Sequence, residues 1–269
     1  MRRAGAVEWL ASISCTHAAG WNAVAALRRA ARRMNIRAGP RYHLYMSSTN
    51  TPSLAPGTVD VWQLPLDAAG DVDEDVALLS PAERERFRLR AGVIARRFAR
   101  AHAGLRRIVA DYCGVAPGAV DVLAPYGRAP RTASGDLELS LSHSDGLALV
   151  AVASTPVGVD VEMLATTDGA GDELESMAEM TLSPHELALF RATAPEGQAR
   201  SWLRSWTRKE AWMKACGRGI ADQVLSEIDV SADSLNAHAL VDLVPGGAFV
   251  GAVAVAHPSV RVVWKELRP

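Results

Sequence analysis

Apolar residues recur along this chain with two periods. Val59-Asp60-Val61-Trp62-Gln63-Leu64 alternates residue by residue between Pro56-Gly57 and Pro65, which predicts a strand. Leu137, Leu139 and Leu141 alternate with polar residues, residues 147–153 are continuously apolar, and Val157, Val159 and Val161 alternate with Gly158, Asp160 and Glu162. These predict three strands in close order, the first two joined by a hairpin at Ser142-His143-Ser144-Asp145-Gly146. Further strands are predicted over 119–123, 228–230, 240–244, 249–256 and 260–267. Ser80-Pro81-Ala82-Glu83 and Ser183-Pro184-His185-Glu186 are capping boxes with Pro at the first helical position, predicting helices over 81–90 and 184–192. Longer helices are predicted over 93–112 and 202–216, closed by Gly114 and Gly217.

The order of these elements repeats. Leu79-Ser80-Pro81 with Glu83 recurs as Leu182-Ser183-Pro184 with Glu186, and Cys113-Gly114 recurs as Cys216-Gly217, both at an offset of 103 (183 − 80 and 217 − 114). Val59-Asp60-Val61 recurs as Val159-Asp160-Val161 at an offset of 100 (159 − 59). So long a period is no solenoid repeat. It predicts an α+β protein of two similar halves about a pseudo-two-fold axis, as in a homodimer fused into one chain, with a ligand cleft between them. The halves are expected at 56–155 and 156–269, after an N-terminal extension at 1–55.

Composition narrows the classes. The 269 residues carry a net charge of −1, with 49% hydrophobic and 22% charged residues. That is ordinary for a globular protein and gives no overall basic field for nucleic acid. No apolar run reaches the roughly 18 residues of a membrane helix. Three widely spaced cysteines, Cys15, Cys113 and Cys216, form no metal-ligand pattern and fit a reducing compartment. The first 45 residues stand apart, with eight arginines against Glu8 alone. They read as a targeting peptide, a basic arm, or translated sequence upstream of a start at Met46; the extension is expected to be disordered or not native, and its one helical stretch is 22–34.

Candidate chemistry gathers in the second half. Asp160 and Glu162, two apart on a strand, share a face, and two adjacent carboxylates repel unless a positive group stands between them. Glu210 and Lys214 share a helical face. On its own each set has a plain reading: solvated strand acids, and a surface i,i+4 pair worth about 0.2–0.5 kcal/mol. Together the three carboxylates form an all-oxygen set suited to a hard cation such as Mg²⁺. His143, between Ser142 and Ser144, is either a polar turn residue or part of an anion site. The first half has Trp62 and Arg107 where Glu162 and Glu210 would stand, and its long helix carries Arg96, Arg97, Arg100, Arg106 and Arg107. That face is either solvated or suited to a polyanion. Arg128, in Tyr126-Gly127-Arg128-Ala129-Pro130, is a loop charge or a phosphate contact.

Gly158-Val-Asp-Val-Glu162 and Trp206-Thr-Arg-Lys-Glu-Ala-Trp-Met-Lys-Ala-Cys-Gly-Arg-Gly219, with Leu139-Ser-Leu-Ser-His-Ser144 upstream, resemble the signature motifs of the 4′-phosphopantetheinyl transferases. The tandem halves are similar to the larger, monomeric, surfactin-synthetase-activator type. The resemblance runs from about Val59 to the C-terminus. It implies transfer of the phosphopantetheine arm of coenzyme A to a serine of an acyl-, aryl- or peptidyl-carrier protein, with release of adenosine 3′,5′-bisphosphate. It also implies Asp160, Glu162 and Glu210 as Mg²⁺ ligands, Glu210 or a water it holds as the base, and Lys214 at the leaving phosphate. Ser142 and His143 would lie at the 3′-phosphate of coenzyme A, and Arg97 and Arg128 at its phosphate or adenine side. A cytoplasmic monomer without nucleic-acid or membrane partners is expected. The chain departs from the family at Gly127-Arg128-Ala129-Pro130, one residue longer than the usual loop, and at Ser140, where Asn is frequent. The alternative is a non-catalytic module that binds coenzyme A or carrier domains through the same cleft.

Overall fold

The computed structural model describes residues 54–123, 129–164, 171–219 and 223–267. The readings of the N-terminal extension and of Arg128 lie outside these residues. Residues 51–269 form one compact unit. Among the described residues there are six α-helices and two sheets, an α+β architecture.

The larger sheet holds β1 (Thr58–Pro65), β2 (Val122–Leu123), β3 (Arg131–Thr132), β4 (Glu138–Ser144), β5 (Leu147–Ala153) and β10 (Arg261–Glu266), in the order β10-β1-β5-β4-β3-β2. The smaller holds β6 (Val157–Met163), β7 (Ser234–Leu235), β8 (His238–Leu243) and β9 (Phe249–Val255), in the order β6-β9-β8-β7. Every pairing is antiparallel except β1 with β10. The order β1-β5-β4-β3 is matched strand for strand by β6-β9-β8-β7, at offsets of 99 to 103 between first residues (157 − 58, 249 − 147, 238 − 138, 234 − 131).

The helices are α1 (Val72–Leu78), α2 (Pro81–Arg88), α3 (Gly92–Cys113), α4 (Gly171–Thr181), α5 (Pro184–Ala192) and α6 (Pro195–Ala215). Both capping boxes form, Ser80 with Glu83 and Ser183 with Glu186. Gly114 and Gly217 both take φ 65°, the left-handed conformation that closes a helix at no steric cost to glycine. At Gly217 the closure is a Schellman motif: Arg218 N–H bonds Met213 C=O at 2.9 Å, and Gly217 N–H bonds Lys214 C=O at 3.0 Å.

Strand alternation sorts the core into layers. Ala148, Val150 and Val152 of β5 join Leu105, Ile108 and Val109 of α3, while Leu149 and Ala151 join Val157, Val159, Val161 and Val253 between the sheets. On the far face of the smaller sheet, Ala252 and Ala254 pack with Ala211, Met213 and Ala215 of α6. The layers therefore run α3, larger sheet, smaller sheet, α6.

The structure departs from the sequence expectations in six places. Helix α6 starts at Pro195, seven residues before Trp202 (202 − 195), and α1 and α4 had no counterpart among the predicted elements. The predicted strand at 119–123 shrinks to Val122–Leu123 behind a 3-10 turn at Pro117–Ala119. Residues 228–230 are no strand, although Ile228 and Val230 are buried. Side chains claim their backbone instead: Lys209 takes Ile228 C=O, Arg208 takes Val230 C=O at 2.7 Å, and Val230 N–H donates to Glu186 at 3.0 Å. Finally, His143 lies in β4 rather than in the hairpin loop, which turns through Asp145 at φ 48° and Gly146.

Candidate active site

The site begins with a close approach of two backbones. A Cβ on Gly158 would stand 1.9 Å from Ala211 O and 2.6 Å from Ala215 N. Only glycine lets α6 lie directly on β6. Glu210 and Lys214, on the face that meets the strand, thereby reach Asp160 and Glu162, which point out of the inter-sheet core toward the helix.

Lys214 Nζ is 2.6 Å from Asp160 Oδ1 and 3.4 Å from Glu210 Oε2, and also donates to Val159 C=O at 3.2 Å. From the other sheet, Ser142 Oγ donates to Asp160 Oδ1 at 2.7 Å. Asp160, Glu162 and Glu210 are all buried. Burial, then the charge of Asp160, pushes the Glu210 carboxyl up to about 7. The same two causes, in the same order, push Glu162 well above the usual carboxylate range. Burial opposes the charge on Lys214, but Asp160 and Glu210 outweigh it and hold its pKa above the ordinary lysine value.

Three crowded carboxylates against one ammonium leave negative charge uncompensated. Asp160 Oδ2 is buried without a hydrogen-bond partner. An oxygen-only donor set with an orphaned carboxylate oxygen fits a hard divalent cation. As the side chains stand, no three acidic, His or Cys residues among the described ones are grouped to hold a metal. Lys214 lies against Asp160 and Glu210 instead.

His143 Nε2 is likewise buried and unpartnered. Burial, followed by the nearby charges of His102, Lys214, Arg90 and Arg97, lowers its pKa to about 3, so its imidazole is neutral. Arg97 is engaged by protein acids: it bonds Asp67 at 2.6 and 2.8 Å and pairs with Asp145. Arg100 and Arg107 both pair with Asp75, and Arg106 with Glu83. Arg97, Arg100, Arg106 and Arg107 of α3 are thus paired with acids within the fold, and a polyanion meeting this face would compete with Asp67, Asp145, Asp75 and Glu83 for them.

Sequence reasoning missed the residues that hold the site in place. Arg208 and Lys209 precede Glu210, carry charges that local pattern leaves unassigned, and are both completely buried. Lys209 Nζ meets Glu186 at 2.6 Å and Leu225 C=O at 2.8 Å; Arg208 also bonds Asp242 at 2.8 Å. The first half carries the equivalent pair, Arg106 with Glu83 at 2.8 Å. Both pairs span 23 residues (106 − 83 and 209 − 186) and are 103 apart (209 − 106). That offset was the signal available in the sequence. Ser140 and Ser144 were missed for a different reason: a serine on an alternating strand gives no sign of what it bonds.

Clustered carboxylates with a lysine one helical turn from the glutamate are residue types that charge neutralisation in phosphoryl transfer uses. Residues 156–248 match the sequence profile of the 4′-phosphopantetheinyl transferase superfamily. The 4′-phosphopantetheinyl transferase HetI of Nostoc sp. (strain PCC 7120) is 35% identical over 229 residues, 80% of this chain and 94% of that protein. The 4′-phosphopantetheinyl transferase of Bacillus subtilis is 26% identical over 164 residues, 57% of this chain and 67% of its own. A holo-[acyl-carrier-protein] synthase of Streptococcus agalactiae is 30% identical over 81 residues, 30% of this chain and 68% of its own. The chain belongs to the 4′-phosphopantetheinyl transferase superfamily.

Proposed function

We propose that this protein is a 4′-phosphopantetheinyl transferase of the surfactin-synthetase-activator type, which moves the phosphopantetheine arm of coenzyme A onto a serine of an acyl-, aryl- or peptidyl-carrier protein. Adenosine 3′,5′-bisphosphate leaves. One observation carries the reading: Gly158 lets α6 lie on β6, so that Lys214 joins Asp160 of the strand to Glu210 of the helix. Carrier-protein phosphopantetheinylation is the activity that the relatives' names share.

Asp160, Glu162 and Glu210 would hold Mg²⁺, which when bound neutralises charge on the phosphate oxygens. Glu210, or a water it holds, would take the proton of the carrier serine. Lys214, cationic at neutral pH, balances charge on the departing phosphate. The neutral His143, with Ser142, whose hydroxyl would turn from Asp160, is assigned to the 3′-phosphate of coenzyme A. Arg97 and Arg128 are assigned to its phosphate or adenine side, Arg97 by sharing its charge with Asp67 and Asp145. The halves at 56–155 and 156–269 serve as the coenzyme A side and the metal side of a monomer with a pseudo-two-fold axis. No described helix is long and apolar enough to cross a membrane, and a cytoplasmic location accords with carrier proteins as substrates.

The test is to incubate the purified protein with coenzyme A and a panel of apo carrier domains, with and without Mg²⁺. A Mg²⁺-dependent gain of one phosphopantetheine in the intact mass of a carrier is expected. Coenzyme A binding without modification of any carrier would replace this reading with a silent binding module.

A further inference from the structure

The two sheets meet along β4 and β6 through hydroxyls. Ser140 Oγ accepts from Val159 N–H at 3.0 Å, Ser142 Oγ donates to Asp160, and Ser144 Oγ accepts from Met163 N–H at 3.1 Å. Ser144 does one thing more: its hydroxyl donates to Glu162 Oε2 at 2.7 Å. Because the hydroxyl is itself fixed by Met163 N–H, this bond has a defined direction. It is the only hydrogen bond that the Glu162 carboxylate makes among the described residues. Glu162 stands beside Asp160, which repels it, so without a donor its side chain would turn away.

We propose that Ser144 is a positioning residue for the cation site, committing one oxygen of Glu162 to a fixed hydrogen bond so that the other would be available to hold a divalent ion. This rests on the reading of the site given above. Ser144 does not touch the reacting atoms; it acts through Glu162. A donor that orients a metal-ligating carboxylate typically contributes about 10–100-fold in metal affinity.

The experiment compares S144A, S144T and S140A. Mg²⁺ is titrated calorimetrically into each protein saturated with coenzyme A, and urea unfolding is recorded alongside. S144A is expected to weaken Mg²⁺ binding about 10-fold or more, and S144T, which keeps the hydroxyl, to restore it. S140A removes a bond of the same seam that touches no carboxylate. It is expected to lower the urea midpoint and leave Mg²⁺ affinity unchanged. Should S144A fail to fold, S144C carries the comparison, since a thiol keeps the size and is a weak donor. Equal Mg²⁺ affinity in S144A and wild type, or an equal loss in S144A and S140A, would overturn the proposal. Those results leave the transferase reading intact, whereas a wild-type protein that modifies no carrier overturns that reading.

Discussion

Lys214 and Asp160, 54 residues apart, form the tightest ion pair at the site, 2.6 Å between Nζ and Oδ1. The partner on the same helix, Glu210, is farther, at 3.4 Å. The i,i+4 pair alone would be worth about 0.2–0.5 kcal/mol at a surface. Buried here, the ammonium belongs first to the strand. Lys214 and Ser142 both bond Asp160 Oδ1, while Oδ2 of the same carboxylate stays free, the atom best placed to meet an incoming cation.

Glu210→Gln keeps the shape of the side chain and removes both its charge and its basicity. Transfer is expected to fall about 10²–10⁴-fold, the range of a lost general base. Coenzyme A binding should be partly retained, as measured by calorimetry. Wild-type turnover in this variant would remove Glu210 from the chemistry.

Gly158→Ala places a methyl group on the backbone of α6, with Ala211 O at 1.9 Å and no flexible side chain to give way. The expected cost is about 1–3 kcal/mol or more in urea unfolding. Transfer should fall by more than the loss of folded protein, because lifting the helix separates Lys214 from Asp160. Activity that tracks the folded fraction alone would count against the close approach as the organiser of the site.

Lys209→Ala strands the buried Glu186 carboxylate and the carbonyls of Leu225 and Ile228. Breaking a buried pair on one side costs about 3–5 kcal/mol, and thermal unfolding should show it. The double variant K209M/E186Q, which leaves no unpaired charge, should recover part of that loss. Arg106→Ala in the first half should behave alike, since Arg106 and Glu83 form the corresponding pair.

Two imidazoles lower stability as the pH falls, while the raised carboxyls of Glu162 and Glu210 act in the opposite direction, so the imidazole part is read from variants. Burial lowers the pKa of His102, and it lowers that of His143 to about 3, against 6.5 for an ordinary histidine. Below about pH 6.5 the unfolded chain therefore binds protons that the folded imidazoles refuse, so their contribution to stability is full above that pH and falls as the pH drops. The His143 contribution to the slope should approach about 1.4 kcal/mol per pH unit. Urea unfolding at pH 7.5, 6.5 and 5.5 measures it, and His143→Gln should reduce the slope. An unchanged slope in His143→Gln would mean that this ring is not held neutral in the folded chain.

The sequence by itself determined what local geometry dictates. Capping boxes, glycine closures, the shared face of Asp160 and Glu162, and the stacking of Glu210 with Lys214 follow from periods of 2.0 and 3.6 residues and from backbone sterics, which need no distant partner. The repeat offset made the matched halves legible as well. Tertiary structure alone decided which charges are buried and what they meet. Arg208, Lys209 and Glu210 are consecutive, yet the first two pin the chain after α6 while the third faces β6. Side-chain directions on a helix separate by about 100° per residue, and only the packed layers assign an identity to each direction. The same holds for Gly158, whose missing side chain matters because a particular helix lies on it, and for Ser144, whose bond to Glu162 exists only where the two sheets meet.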